Sequence, residues 1–328
     1  MEYITLNNGV KMPKLGLGTF LIPKENLSDT IGKAYELGYR QFDTAWRYRN
    51  EKDIARAFQV HGIKREDVFI TTKINIDAFY LKNYQYGYHG LFNIRNFKSI
   101  RQVIEESFSN LNTEYVDLFL VHGTFPKYRE MYSELTKFYK EGRIRAIGVC
   151  SCLPPHLDAL KEFSDVTPAV NQFEISPLNT QKELIEYCQK RGIAVEAMST
   201  FSHYRSNKPR NEIIYNEDIV DIAQKHHKST VQVVLRWLFQ QNIITIPKTW
   251  DFDHLADNIS IFDFELSNEE MARIDALDKG KFLNYNPYGE TFALPKKYYT
   301  NWSGFNKGEE FRFWEPFPRL NNLLSKNK

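Results

Sequence analysis

Three cysteines in 328 residues, Cys150, Cys152 and Cys188, are too few for a disulfide framework and fit a reducing compartment. No uninterrupted apolar segment approaches the roughly 20 residues a membrane-spanning helix needs. The opening MEYITLNNGVKMPKL also lacks the basic stretch and apolar run of an export signal. Charge of one sign is missing too. The formal net charge is +2 and the pI about 8.2, so no strong field is available to hold nucleic acid or an anionic membrane. Neither Cys150-x-Cys152 nor the pair His226-His227 has a further cluster of zinc-type ligands nearby, so no metal is expected. These absences point to a cytoplasmic protein without membrane or nucleic-acid partners. It should act on a small molecule as a monomer or weak homo-oligomer.

What is present is an ordinary globular composition, 42% hydrophobic and 26% charged, with ample material for a core. Asn7-Asn8-Gly9 between two short apolar runs reads as a hairpin with a primed turn. Beyond it, strands and helices alternate. Apolar, β-rich runs fall at 15–20, 41–45, 68–74, 115–122, 144–150, 169–175, 194–200 and 243–247, each followed by helical periodicity. Runs such as VDLFLVH and RAIGVC are apolar almost throughout, as expected of parallel strands covered on both faces. Ser28-Asp29, Ser99 and Ser267 mark helix starts, and Ser267-Asn268-Glu269-Glu270 resembles a capping box. No Gly/Ser/Pro-rich linker or repeat interrupts the series. The expectation is one domain over 1–328, a (β/α)₈ TIM barrel of about 13–280 with an N-terminal β-hairpin and an aromatic-rich C-terminal tail from about 281.

Active sites of such barrels lie at the carboxyl ends of the strands. Asp43 ends the second of the eight strands, Tyr48 follows it, Lys73 ends the third and His122 the fourth. A lysine beside a phenol favours the phenolate, which is expected to lower the tyrosine pKa from about 10 and make Tyr48 a usable acid. Asp43 would balance Lys73, and His122 would hydrogen-bond a carbonyl oxygen and hold it near Tyr48. Taken singly, these residues read as a structural ion pair, a core histidine and a surface aromatic. Their joint position at successive strand ends reads as a site.

Seven motifs then occur in one order: GLGTF at 16–20, DTAWRYRNE at 43–51, TKI at 72–74, DLFLVH at 117–122, RAIGV at 145–149, VNQFE at 170–174 and IPKT at 246–249. On these the sequence resembles the aldo-keto reductase family. The resemblance implies a catalytic tetrad of Asp43, Tyr48, Lys73 and His122. Tyr48 would protonate a substrate carbonyl while a hydride arrives from NADPH or, less often, NADH. The family does this without a Rossmann fold, in keeping with the lack of a strand-borne G-x-G-x-x-G.

The resemblance also assigns a cofactor shell. Gln172 matches the residue at the nicotinamide carboxamide, Lys248 and Thr249 the pair at the adenosine 2′-phosphate, and Asp257 and Asn258 the adenine contacts. Gly18, Thr19, Asp43, Ser199 and Phe201 fall in the same shell. Several positions depart from the family's pattern. Its Ser-Asn pair after the fifth strand is Cys150-Ser151, its ring-stacking tyrosine is Met198, and an arginine at the 2′-phosphate is His254. A basic residue, Arg205, stands in the loop after the seventh strand, where it would meet the pyrophosphate or lie in solvent. The lysine favours NADPH, and the altered neighbours leave NADH as the alternative.

The tryptophan that commonly follows the family's catalytic histidine is Gly123, which implies a roomier site. The aromatics of 75–97 and of the tail, from Phe79 to Trp314, would line a pocket for a bulky or aromatic aldehyde or ketone, or simply pin those segments to the barrel. The competing class is a cofactor-binding barrel with a regulatory or structural role and no turnover.

Overall fold

The computed structural model describes residues 1–74, 99–124, 127–201 and 208–283. Strands β1 (Tyr3–Thr5) and β2 (Lys11–Pro13) pair antiparallel. The turn between them differs from the expected primed type. Gly9 N donates to Leu6 O at 2.9 Å, and Gly9 carries a positive φ of 85° while Asn7 and Asn8 do not. This is a three-residue loop, a type I turn closed by a left-handed glycine, whose extra residue leaves Leu6 and Val10 as the closing pair.

Eight parallel strands follow: β3 (Leu17–Gly18), β4 (Gln41–Asp43), β5 (Phe69–Ile74), β6 (Val116–Val121), β7 (Ile144–Cys150), β8 (Val170–Glu174), β9 (Ala194–Met198) and β10 (Ile244–Thr245). All eight runs expected from the sequence form strands, most of them trimmed at the ends. Each pairs with its neighbour in chain order, and the sheet returns to its start. Leu15 bridges Thr245 in parallel, and Gly16 N donates to Thr245 O at 2.8 Å. Helices α1 (Lys24–Glu36), α2 (Glu51–Val60), α3 (Ile100–Leu111), α4 (Tyr128–Lys140), α5 (Pro154–Leu160) and α6 (Lys182–Gln189) separate the strands up to β9. Then come α7 (Lys208–Ile214), α8 (Glu217–His226) and α9 (Thr230–Gln240) before β10, with α10 (Phe252–Ile259) and α11 (Asn268–Asp275) after it. No helix among the described residues is long and apolar enough to cross a membrane.

The larger core lies between helices and sheet, while a second cluster of Leu118, Leu120, Ala146, Val170 and Ile244 fills the barrel interior. Leu6 and Met12 of the hairpin join that inner cluster, and the Asn7 and Asn8 amides donate to Pro168 O and Arg145 O. The hairpin thereby closes the amino-terminal mouth, and the carboxyl mouth is left for chemistry. Asp117 breaks the apolar run of β6. It is fully buried and accepts from Arg65 at 2.5 Å, Arg145 at 2.6 Å and the Ile70 amide at 2.9 Å. A buried carboxylate needs such partners to offset its lost hydration.

Ser99, Ser229 and Ser267 each cap a helix with a full capping box, completed by Gln102, Gln232 and Glu270. Ser28 and Asp29 do not start a helix; α1 begins a turn earlier, after Pro23, whose fixed φ suits a helix entry. Burial pushes the Glu270 carboxyl up, but Lys225, the Ser267 amide and His226 outweigh it and hold it down at about 2. Glu270→Ala should cost about 1–3 kcal/mol by removing the box partner and these contacts. Because the folded pKa is depressed, the loss should be full above about pH 5 and shrink as pH falls toward 2; urea unfolding of variant and parent across that range checks it.

Candidate active site

The carboxyl ends of β4, β5 and β6 bring Asp43, Lys73 and His122 to one mouth, and a short 3₁₀ turn, Trp46–Tyr48, swings Tyr48 over them. Lys73 is wholly buried. Its Nζ donates to Asp43 Oδ1 at 2.5 Å and to Thr44 O at 2.9 Å. It also lies 5.1 Å from the centre of the Tyr48 ring, close enough for its charge to act on the phenol. The Tyr48 ring meets His122 edge-on, with centroids 5.6 Å apart, and Phe20 covers its other side at 4.7 Å. The four tetrad candidates therefore share one contact network.

Burial alone would drive Lys73 to release its proton, but Asp43 holds it protonated, above the usual lysine value. Burial lowers the His122 imidazole well below its usual value, and Lys73 and Arg47 push it the same way, so the ring is neutral. Its Nδ1 is buried without a hydrogen-bond partner among the described residues. Tyr48 corrects the sequence expectation. Lys73 does pull its pKa down, but burial outweighs that pull and the hydroxyl is pushed up to about 12. Tyr48 is thus a firmly protonated phenol polarised by a lysine, a donor awaiting a developing oxyanion, because desolvation of the phenolate exceeds the gain from one nearby cation.

The local frame explains why Tyr48 sits there. Asn50 accepts from Thr44 Oγ1 at 2.6 Å and donates to both Thr19 O and Thr19 Oγ1 at 3.1 Å, tying the ends of β3 and β4 to the turn. Glu51 starts α2, is buried, and accepts from Thr72 at 2.7 Å and Asn110 at 3.0 Å, locking β5 against α2 and α3. Neither residue was singled out from the sequence, although both lie inside the DTAWRYRNE motif. Gln41 and Glu196 were missed as well. The available signal was a polar side chain in an otherwise apolar strand.

The proposed cofactor residues divide into two groups. Thr19 is buried, and its hydroxyl donates to Asp43 O at 2.8 Å; Gly18 packs so closely on Ile246 O that a Cβ would lie 2.8 Å from it. Gln172 donates to Asp43 Oδ2 at 3.0 Å, and Ser151, next along the β7–β8 pair, is buried in a left-handed conformation with φ 52°. Met198 and Ser199, half-buried at the end of β9, and Phe201, packed on the outer core, complete this group. The second group lies after β10. Lys248 is exposed, with its ammonium 4.6 Å from the Trp250 ring centre, and Thr249 Oγ1 accepts from the Asp251 amide at 3.1 Å. His254 and Asp257 are exposed on α10 while Asn258 is buried. Arg205, the loop 75–97 and the tail from 284 lie outside the described residues.

No group of three or more His, Cys, Asp or Glu side chains among the described residues could hold a metal ion. A nicotinamide fits the donor set. The carboxamide needs an acceptor and a donor, and Gln172 Oε1, met among the described residues by the Cys150 thiol at 3.8 Å, and the Ser151 hydroxyl offer them on adjacent strands. A small cavity lined by Ser151, Leu153, Phe173, Glu174, Met198 and Phe282 adjoins them.

A parallel barrel with a buried lysine–aspartate pair beneath a tyrosine defines an oxidoreductase of the barrel type. Residues 14–279 match the model of the aldo/keto reductase family, and the chain belongs to that family. It is 38% identical to the glyoxal reductase of Bacillus subtilis over 288 residues, 87% of this chain and 96% of that protein. It is 32% identical to the methylglyoxal reductase DkgA of Escherichia coli O157:H7, over 87% and 96% of the two chains. Among solved structures, the Gox0644 D53A mutant in complex with NADPH superposes with a TM-score of 0.76 at 29% identity, covering 89% of this chain and 99% of that one. The protein is an NAD(P)H-dependent oxidoreductase acting on carbonyl groups.

Among the described residues, Lys73 is the cation set beside two buried carboxylates, Asp43 and Glu196. Lys73→Met should therefore cost about 3–5 kcal/mol of stability. Without the lysine both carboxyls would fold with raised pKa, so their protonated forms supply the stability and it is lost as pH rises. Unfolding measurements should show the variant more impaired near pH 8 than near pH 5.

Proposed function

We propose that the protein reduces an aldehyde or ketone to an alcohol in the cytoplasm with NADPH, and that Tyr48 delivers the proton. The observation that carries this reading is the protonated Tyr48 phenol set beside the buried Lys73 ammonium, 5.1 Å from its ring centre, and edge-on to neutral His122. The bound nicotinamide supplies a hydride. Tyr48 holds the proton at its hydroxyl, aimed into the mouth, and releases it as negative charge grows on the carbonyl oxygen. Lys73 stabilises the phenolate left behind, and Asp43 keeps Lys73 protonated and fixed. His122, unable to act as a cation, orients the carbonyl oxygen by a neutral hydrogen bond. Gln172 and Ser151 would hold the carboxamide.

Two relatives named above reduce glyoxal and methylglyoxal, so a small dicarbonyl is the first substrate to try. The aromatic residues of 75–97 and the tail carry the expectation of a bulkier, aromatic substrate. A panel of methylglyoxal and an aromatic aldehyde separates the two. In Tyr48→Phe, kcat should fall about 10²–10⁴-fold while the Kd for NADPH changes less than about twofold. Single-turnover kinetics with a fluorescence titration checks this, and retained turnover would overturn the assignment.

Asp251 bears on the choice of cofactor. Its carboxylate accepts from the amides of Asp253 and His254 at 3.0 Å, capping α10 beside Lys248 and Thr249. A negative charge at that helix start disfavours a second anion, and His254 supplies less fixed charge than an arginine would. His254→Arg should raise the preference for NADPH over NADH about tenfold through one charge-assisted phosphate contact. The ratio of the two Kd values measures it, and an unchanged ratio would place the 2′-phosphate elsewhere.

A further inference from the structure

Glu196 lies in β9 level with Gln172 in the β8–β9 register, and none of its surface is exposed. Its Oε1 accepts from Gln41 Nε2 at 2.7 Å and its Oε2 from Gln172 Nε2 at 2.6 Å. The same Gln172 nitrogen donates to Asp43 Oδ2 at 3.0 Å. An amide set between two carboxylates has one satisfactory orientation, with its nitrogen toward both, because a carboxylate oxygen only accepts. The Gln172 carbonyl is therefore turned away from them, toward Cys150 at the carboxyl end of β7. Lys73 neutralises one of the two carboxylates, so an excess negative charge is buried against the amide that, by resemblance, meets the carboxamide. A reduced nicotinamide ring is neutral; an oxidised one carries a positive charge.

We propose that Glu196 is a positioning residue of the nicotinamide site: it locks the Gln172 amide with its carbonyl toward the carboxamide, and its carboxylate is the counter-charge that favours the oxidised ring. The inference rests on the NADP(H) reading given above.

The ionisable groups facing Glu196 are Asp43, Lys73 and Cys150. Burial pushes the Cys150 thiol up, so it stays neutral, and Asp43 is paired with Lys73. Glu196 is the group left to titrate near neutrality. Burial and then the Asp43 charge push its carboxyl up to about 7, against the pull of Gln172, Lys73 and Gln41. The ionised form is the one that favours a positive ring. NADP⁺ affinity should then rise as pH increases through about 7, with a proton released on binding below that pH, while NADPH affinity shows no such rise.

The test is a pair of fluorescence titrations, NADP⁺ and NADPH, from about pH 6 to about pH 8 with parent protein and Glu196→Gln. The parent should bind NADP⁺ several-fold tighter at the upper end. The variant should lose that slope and bind NADP⁺ about tenfold more weakly at pH 8, with NADPH affinity within about twofold of the parent. A residue that only supports the barrel would weaken both dinucleotides equally and leave the slope in place, which would overturn the proposal. Calorimetry of NADP⁺ binding to the parent alone, in two buffers of different ionisation enthalpy, reads the proton release without any variant, and its absence near pH 6.5 would overturn the proposal equally. Failure of both dinucleotides to bind would overturn the cofactor reading itself, and this inference with it.

Discussion

The ion pair between Lys73 and Asp43 is the constraint around which the site is arranged. A lysine with no exposed surface keeps its charge only if a carboxylate stands against it, and a 2.5 Å contact does this. The other tetrad members are arranged around it. The cation polarises Tyr48, adds to the burial that keeps His122 neutral, and leaves Asp43 with a second oxygen, which Gln172 takes up. Burial keeps Tyr48 and His122 neutral, and the charge that persists at this mouth does so because Lys73 and Asp43 hold it as a pair.

The same pair explains why so much polar scaffolding surrounds it. Asn50, Thr19 and Thr44 bind the strand ends to the turn that carries Tyr48, and Glu51 pins the lysine's strand through Thr72. Buried polar groups of this kind are stable only when satisfied, so each bond that fixes the scaffold also narrows the positions open to the tyrosine. The hairpin at the opposite end gives a division of labour common to this architecture. One mouth is plugged with apolar side chains and asparagine bridges, and the other carries the charges.

By the resemblance, the proposed cofactor region keeps the family's frame while altering individual contacts. Against the pattern of that resemblance, Cys150, Ser151, Met198 and His254 differ in shape and charge, and Asp251 caps the helix that follows Lys248. The reaction centre, where geometry must serve bond making, departs least from the pattern. By the resemblance, the departures fall on the dinucleotide contacts instead, Cys150, Ser151 and Met198 at the nicotinamide and His254 at the adenosine end.

Alternation of apolar runs with helical periodicity was enough to name the barrel, because strands covered on both faces leave a plain record in the order of residues. Asp43, Tyr48, Lys73 and His122 were legible for a related reason: strand-end positions of a barrel converge, so their sequence positions imply their neighbourhood. What the linear pattern could not decide was the balance of opposing energies. Whether Tyr48 is driven down by a lysine or up by burial depends on how much water the fold removes, which is a property of packing. The hairpin turn and the start of α1 depended on backbone geometry that Asn-Gly and Ser-Asp pairs do not fix alone. Gln41, Glu196 and Asp117 stayed hidden because a polar residue inside an apolar strand acquires meaning only from partners 24 to 155 residues away, and only closure of the barrel brings those partners within bonding distance.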